Sequence, residues 1–460
     1  MEITNLLEFS HRAQLREWFE QHAATDKECW IAMYRVKRPA ECGDCLPYID
    51  VVEEALCFGG IDSTLKRLPD GRLAQRLSPR RKRSHWTELN KQRCADLEHR
   101  GLMTDAGRQA LYNSSLIMIY FDSDYMEGAH PEVMRRLVET NLEHTVGYGC
   151  DPYTQQAKDA IRTACSAPNA LVQFLEGGTQ TNATVIDALL RRHEGVLAAE
   201  TAHINVHESG AIEHSGHKVL TLPTKDGKLT ADQVDNYITD FYRDETYEHM
   251  VAPGMLYITM PTEYGTLFTL SELEQLSEVC HKHHIPLYMD GARLGYALAS
   301  EACDVTLPDI ARLCDVFYIG GTKCGLLFGE AVVAANPDTL PHFFPLVKQH
   351  GALCAKGRIL GVQFLTLFTD NLYERICQHA VTLAQRLREG FVKKGYRVAI
   401  DSPTNQQFFI LPNEVVDNLR EKGVSFEDWG IRGEKETTVR FVTSWATTEE
   451  DVEELIEKLQ

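Results

Sequence analysis

Ile285-Pro286-Leu287-Tyr288-Met289-Asp290-Gly291-Ala292-Arg293 is an apolar run closed by a carboxylate and a glycine. A second run, Asp315-Val316-Phe317-Tyr318-Ile319-Gly320-Gly321-Thr322-Lys323-Cys324-Gly325, closes on two glycines and a lysine. Short apolar runs ended by glycine read as strands of a parallel sheet covered on both faces. In such sheets ligands collect outside the carboxyl ends of the strands. Asp290 and Lys323 are therefore expected in one crevice. A buried carboxylate can keep a pyridine nitrogen protonated, and a lysine can form a Schiff base with an aldehyde. Together they are the minimum anchors for pyridoxal 5′-phosphate (PLP).

Outward from this pair the chain alternates strand and helix patterns. Strands are expected at 170–175, 195–199, 218–222, 255–260, 286–289, 316–319 and 330–334, with helices such as 181–192 and 270–284 between them. That rhythm indicates an α/β, doubly wound, mostly parallel sheet. The last hundred or so residues give a helix at 372–393, strands near 397–400, 407–411 and 438–443, and helices near 413–422 and from Glu449, which reads as a small C-terminal α/β domain. Before residue 113 the element types are mixed. Helices are expected at 11–22, at 48–58 with Ile49, Val52, Ala55 and Leu56 inward, from an N-cap at Ser84 to His99, and at 104–111. A strand is expected at 29–36. Asn113-Ser114-Ser115 marks the boundary. The expected organisation is a small α+β module at 1–113, a large domain at 114–350 and a small domain at 351–460.

Composition narrows the class. Charged residues make up 25% and hydrophobic residues 43%, as in soluble globular proteins. There is no apolar stretch of membrane-spanning length and no secretory leader, so the expected location is cytoplasmic. The 13 scattered cysteines suit reduced thiols rather than a disulfide framework. Residues 1–112 carry 18 basic and 17 acidic side chains, the remainder 29 and 49. An acidic larger part argues against nucleic acid as a partner. The basic run Arg80-Arg81-Lys82-Arg83 reads as a solvated turn.

Further candidates gather around the two anchors. Glu176-Gly177-Gly178-Thr179-Gln180-Thr181-Asn182 follows an apolar strand and opens a helix, a place where free N–H groups and positive potential can hold a phosphate. His203 follows another strand and could stack on a flat ring or move protons. Arg293 lies three residues past Asp290, within reach of the same crevice or of a structural carboxylate. Arg440 sits inside an apolar strand and needs an anion, either from the protein or from a substrate. His207, His214 and His217 match no metal motif, so no metal is expected.

With these residues collected, residues 116–460 resemble the threonine aldolase/β-eliminating lyase family of PLP enzymes, of the fold type I, PLP-dependent transferase-like class. The resemblance is carried by Phe121-Asp122-Ser123-Asp124, Gly147-Tyr148-Gly149-Cys150-Asp151-Pro152, Gly178-Thr179 with Asn182, His203 with Glu208-Ser209-Gly210-Ala211, Asp290-Gly291-Ala292-Arg293, Lys323, and Arg440-Phe441-Val442-Thr443. It implies that Lys323 holds PLP, that Asp290 pairs with the ring nitrogen, and that His203 stacks on the ring. It also implies that Arg293 and Arg440 grip the carboxylate of a small amino-acid substrate with Ser123. Members are usually homo-oligomers, so a homodimer or homotetramer is expected, with Tyr148 serving a neighbouring subunit. Two departures stand out. Pro261-Thr262-Glu263-Tyr264 replaces an Asn-Thr-His-Asn stretch, so Glu263 stands where a histidine is usual, and Gly320-Gly321-Thr322 precedes the lysine where Leu-Ser is usual.

The expected reaction is aldol cleavage to glycine and an aldehyde, with His203 or Glu263 removing the β-hydroxyl proton. The alternatives are β-elimination, racemisation or transamination on another amino acid, and a PLP-binding regulator without turnover. Residues 1–112 resemble the YdeI/OmpD-associated family through Ala55-Leu56-Cys57-Phe58-Gly59-Gly60-Ile61-Asp62, Leu77-Ser78-Pro79-Arg80-Arg81, Ser84-His85-Trp86-Thr87-Glu88-Leu89-Asn90 and Gly101-Leu102-Met103-Thr104, which implies a binding or accessory role.

Overall fold

The computed structural model describes residues 3, 5–23, 25–35, 44–80, 86–114 and 118–459. The chain divides into two compact units, Met1–Met118 and Ile119–Gln460.

The first unit is α+β. Its sheet runs Leu6–Leu7, Cys29–Tyr34, Leu73–Pro79, Gly60–Arg67, with Leu46–Pro47 also on Cys29–Tyr34. Four helices, Arg12–His22, Tyr48–Cys57, Glu88–His99 and Asp105–Ser114, accompany it. One core joins Leu15, Ile31, Val51, Ala55 and Leu77. Sequence periodicity placed Ile49 inward, but it is 40% exposed and Val51 is buried instead. The helix starts at Tyr48 behind Pro47, which sets its phase so that Val51, Val52, Ala55 and Leu56 share the inner face. The strands 60–67 and 73–79 escape a reading by apolar runs, because polar residues interrupt both, Asp62, Ser63, Thr64, Lys66 and Arg67 in one and Gln75, Arg76 and Ser78 in the other. Ser84 and residues 81–83 lie outside the described residues. The helix that Ser84 was expected to cap begins at Glu88, with the Thr87 side chain accepting from Asn90 N.

The second unit is built on a seven-stranded sheet: β1 (Leu171–Leu175), β2 (Glu194–Ala199), β3 (Val219–Leu222), β4 (Ala252–Thr259), β5 (Leu287–Asp290), β6 (Val316–Gly320) and β7 (Glu330–Ala334). Their spatial order is β1-β7-β6-β5-β4-β2-β3. All neighbours are parallel except β7, which is antiparallel to both β6 and β1. β6 and β7 are buried along their whole length, which is why they read as unbroken apolar runs. Helices α1 (Gly178–Leu189), α2 (Leu270–Lys282) and α3 (Leu372–Lys393) are among those that cover this unit.

A second sheet runs β8 (Arg397–Ile400), β9 (Gln406–Pro412), β11 (Glu436–Val442) and β10 (Glu427–Asp428) in space, all antiparallel. Its core joins Phe391, Phe409, Phe426 and Phe441. The two cores share α3: Tyr373 to Val381 pack in the first, Leu383 to Phe391 in the second. Ile119 and Phe121, at the start of the unit, also belong to the second core. No helix among the described residues is long and apolar enough to cross a membrane.

Candidate active site

The parallel strands deliver their last residues to one edge of the sheet. There a cavity of about 280 Å³ is lined by the ends of β1, β4, β5 and β6 and the turns that follow them. Gly178, Thr179, Asn182, His203, Glu263, Asp290, Arg293 and Lys323 all line it. Ser123, Tyr148 and Arg440 do not.

Asp290 ends β5 and is 2% exposed. Its Oδ1 accepts from Tyr318 Oη at 2.6 Å and Ala292 N at 2.9 Å, and its Oδ2 from Tyr257 Oη at 2.6 Å and Asn182 Nδ2 at 2.9 Å. The three tyrosines nearest this carboxylate, Tyr257, Tyr288 and Tyr318, are held as neutral donors, because burial and then the Asp290 charge push each phenol well above its ordinary value. Asn182 carries the network onward. Its Nδ2 also donates to Glu208 Oε1 at 2.8 Å, and its Oδ1 accepts from Tyr288 Oη at 2.9 Å. Glu208 Oε1 lies 2.8 Å from His203 Nδ1. Burial opposes charge on the His203 ring, but the Glu208 bond and the fields of Glu263 and Asp290 outweigh it and raise its pKa.

Lys323 follows the Gly320-Gly321-Thr322 turn. Its Nζ lies 6.0 Å from the Tyr125 ring centre. Burial, then the Arg293 charge, lower its pKa against the pull of Asp124, Glu263 and Asp290. A lowered lysine offers more free amine, the form that attacks a carbonyl.

Arg293 is held by Asp124 through Nε at 2.7 Å and Nη2 at 3.0 Å. From the Phe121–Asp124 stretch it is thus Asp124 that bonds Arg293. The two residues are 169 positions apart, and sequence spacing carries no sign of the pair. Asn405 Nδ2 donates to the same Asp124 Oδ2 at 2.9 Å. Arg440 is 7% exposed; its Nη1 donates to Gln406 Oε1 at 2.9 Å and its Nη2 to Glu427. Its Nε and the Gln406 Nε2 are buried donors without a protein partner. Tyr148 is 46% exposed, with the Lys348 ammonium 4.8 Å from its ring centre. Tyr125, Thr322 and Glu330 line the cavity and were not anticipated. No group of three metal-ligating side chains occurs among the described residues; His217 instead faces Asp187 at 3.3 Å.

The profile of the family described as Beta-eliminating lyase matches residues 121–414. The chain is 32% identical over 338 residues to the low specificity L-threonine aldolase of Pseudomonas aeruginosa, covering 73% of this chain and 95% of that protein. The chain belongs to the β-eliminating lyase family. The low specificity L-threonine aldolase of Escherichia coli is 25% identical over 55% of this chain and 76% of its own length. A Leishmania major threonine aldolase structure superposes with a TM-score of 0.71 at 40% identity, covering 74% of this chain and 97% of that one. An aspartate aminotransferase from Thermus thermophilus shares the fold, with a TM-score of 0.55 at 15% identity over 77% of this chain and 94% of that one. The architecture is thus the fold type I that the family resemblance implies, built on the doubly wound sheet expected from the alternation of strands and helices. Residues 7–110 match a domain of unknown function (DUF8412).

The lining of this lyase's cavity fits PLP by its own chemistry. Helix α1 opens at Gly177 and Gly178 with no side-chain cap, which leaves its first N–H groups free for a phosphate. A Cβ on Gly177 would meet nothing within 4 Å, so the backbone is open to close approach there. A buried carboxylate faces the cavity on one wall and a lysine of lowered pKa on another.

Proposed function

We propose that this chain is a PLP-dependent aldehyde-lyase of the threonine aldolase type. It cleaves a β-hydroxy-α-amino acid such as L-threonine or L-allo-threonine to glycine and an aldehyde. The observation that carries this reading is the meeting of Lys323, Asp290 and His203 in one cavity, in a chain that matches 95% of the length of a low specificity L-threonine aldolase over 73% of its own.

When bound, the cofactor supplies an electron sink for the charge left at Cα. Lys323 would hold its aldehyde, and the free N–H groups at Gly178 and Thr179 its phosphate. Asp290, which accepts from four donors, would pair with the ring nitrogen and favour its protonated form. His203 would stack on the ring, oriented by Glu208. Arg293, fixed by Asp124, and Arg440, with its unpaired Nε, bind the substrate carboxylate together with Ser123. That grip decides which Cα bond is broken. His203 or Glu263 takes the β-hydroxyl proton. The protein works as a cytoplasmic homodimer or homotetramer in which Tyr148 reaches a neighbouring subunit's site. Residues 1–113 form a binding or accessory module related to the YdeI/OmpD-associated family, joined to domains at 114–350 and 351–460.

The test is product identification from purified protein supplied with PLP and either threonine diastereomer. Glycine and acetaldehyde in equal amounts are expected. Ammonia and a keto acid, or a racemised amino acid, would overturn the aldol reading. Lys323→Ala should lose the visible absorbance of the bound cofactor; a band that persists means that another lysine carries it.

A further inference from the structure

Glu330 lines the same cavity and takes no part in the reaction above. Because β7 runs antiparallel to its neighbours, its first residue arrives at the carboxyl edge of the sheet, opposite Gly320 on one side and Leu175 on the other. It therefore sits between the turn that carries Lys323 and the turn that opens α1. The side chain is 3% exposed. Its Oε2 accepts from Gly321 N at 3.1 Å and its Oε1 from Thr322 Oγ1 at 2.7 Å. Among the described residues no cation bonds to either oxygen.

Each oxygen of a carboxylate has about two acceptor positions. One protein donor on each leaves two positions open. An ionised Glu330 would leave unpaired lone pairs in the same cavity where Gly178 and Thr179 offer N–H groups to an anion. Two unpaired anions side by side in a buried site is a costly arrangement. A protonated Glu330 reverses the sign: one open position becomes an O–H donor. We infer that Glu330 acts as a neutral carboxylic acid that donates a hydrogen bond to the cofactor phosphate held at Gly178 and Thr179, an inference that rests on the PLP reading above.

The electrostatics agree. Burial pushes the Glu330 carboxyl up to about 8, against the Thr322 bond, the Lys323 charge and the Gly321 N–H, with Asp290 pushing the same way as burial. The titratable groups that face it are Lys323 and Tyr318 from β6 and its turn, Asp290 and Tyr288 from β5, Tyr373 from α3, and Glu176 after β1. The tyrosines stay protonated. The Lys323 charge also acts on Glu330, so the experiment must separate the two.

Apoprotein is titrated with PLP and with pyridoxal, which lacks the phosphate, at pH 7 and pH 9, for the wild type and Glu330→Gln. Binding is followed by quenching of tryptophan fluorescence. The phosphate is already dianionic at pH 7. The wild-type Kd for PLP is expected to rise about tenfold between the two pH values, as the protonated fraction of a group near 8 falls. Glu330→Gln keeps a donor and cannot ionise, so it should not follow that rise, and pyridoxal should show no such rise with the wild type. Equal pH dependence for PLP in both proteins overturns the inference. An equal rise for PLP and pyridoxal also overturns it, because the effect then acts through Lys323. Should Glu330→Gln fail to fold, the wild-type comparison of the two vitamers still decides. Absence of PLP binding at either pH removes the cofactor reading itself, and this inference with it.

Discussion

His203 and Glu208 share a hydrogen bond whose strength depends on the charge of the imidazole. Were Glu208 an amide, the ring would keep the burial that lowers its pKa and lose the bond that raises it. Glu208→Gln should therefore bring the His203 pKa down, seen by NMR titration of its ring protons. If His203 is the base, it must be neutral to accept the β-hydroxyl proton. Activity then falls as pH drops through its pKa, and the acid limb of the kcat profile should move to lower pH in the variant. An unmoved limb transfers the role to Glu263. The Arg293–Asp124 pair gives a second residue-scale outcome. Both partners are buried, so Asp124→Ala leaves an uncompensated guanidinium. A loss of about 3–5 kcal/mol is expected in denaturant unfolding. The residues that end strands, Asp290 and Lys323, were legible because apolar runs point to them. Asp124, Tyr257 and Tyr318 were not, because their roles come from contacts across the fold.

At the scale of elements, the glycines that close β5 and β6 do more than end strands. A Cβ on Gly291 would lie 1.9 Å from the Tyr318 carbonyl oxygen, and one on Gly320 would lie 2.3 Å from that of Ala292. The two strand ends touch backbone to backbone, and that contact sets the spacing between Asp290 and Lys323. Gly291→Ala must push the ends apart. We expect a loss of at least about 1–3 kcal/mol in stability together with weaker PLP binding, read by thermal melting and by the cofactor's absorbance. Unchanged values for both would mean that the turn relaxes freely. All seven strands of the large sheet were legible, and in β5, β6 and β7 burial along the whole length writes the apolar run. Strand direction was not. Nothing in Glu330-Ala331-Val332-Val333-Ala334 marks it as antiparallel, so the pattern carries no sign that Glu330 reaches the carboxyl edge of the sheet. The opposite failure befell 60–67 and 73–79, where polar residues such as Asp62, Lys66, Gln75 and Arg76 break the apolar signal.

At the scale of the molecule, the two units carry separate cores. Leu15, Ile31, Val51 and Leu77 pack within the first, and every lining residue of the cavity belongs to the second. The change from mixed elements to regular alternation near residue 116 was visible in the sequence. The sharing of α3 between two cores was not, since a helix buried along one stripe reads the same whichever core it meets. A chain that starts at Met118 keeps Ile119 and Phe121, whose side chains sit 2% and 0% exposed in the second core. It also keeps the backbone pairing of Ile119 and Tyr120 with Val424 and Ser425. Such a chain should fold cooperatively, bind PLP and release glycine from the substrate at a rate close to that of the whole protein. A chain starting at Asp122 loses both anchors of that core and should melt at lower temperature, with the cavity side chains themselves intact. If removal of residues 1–117 instead abolishes PLP binding while circular dichroism still reports a folded chain, the first unit contributes to the site, and its role is more than that of an appended module.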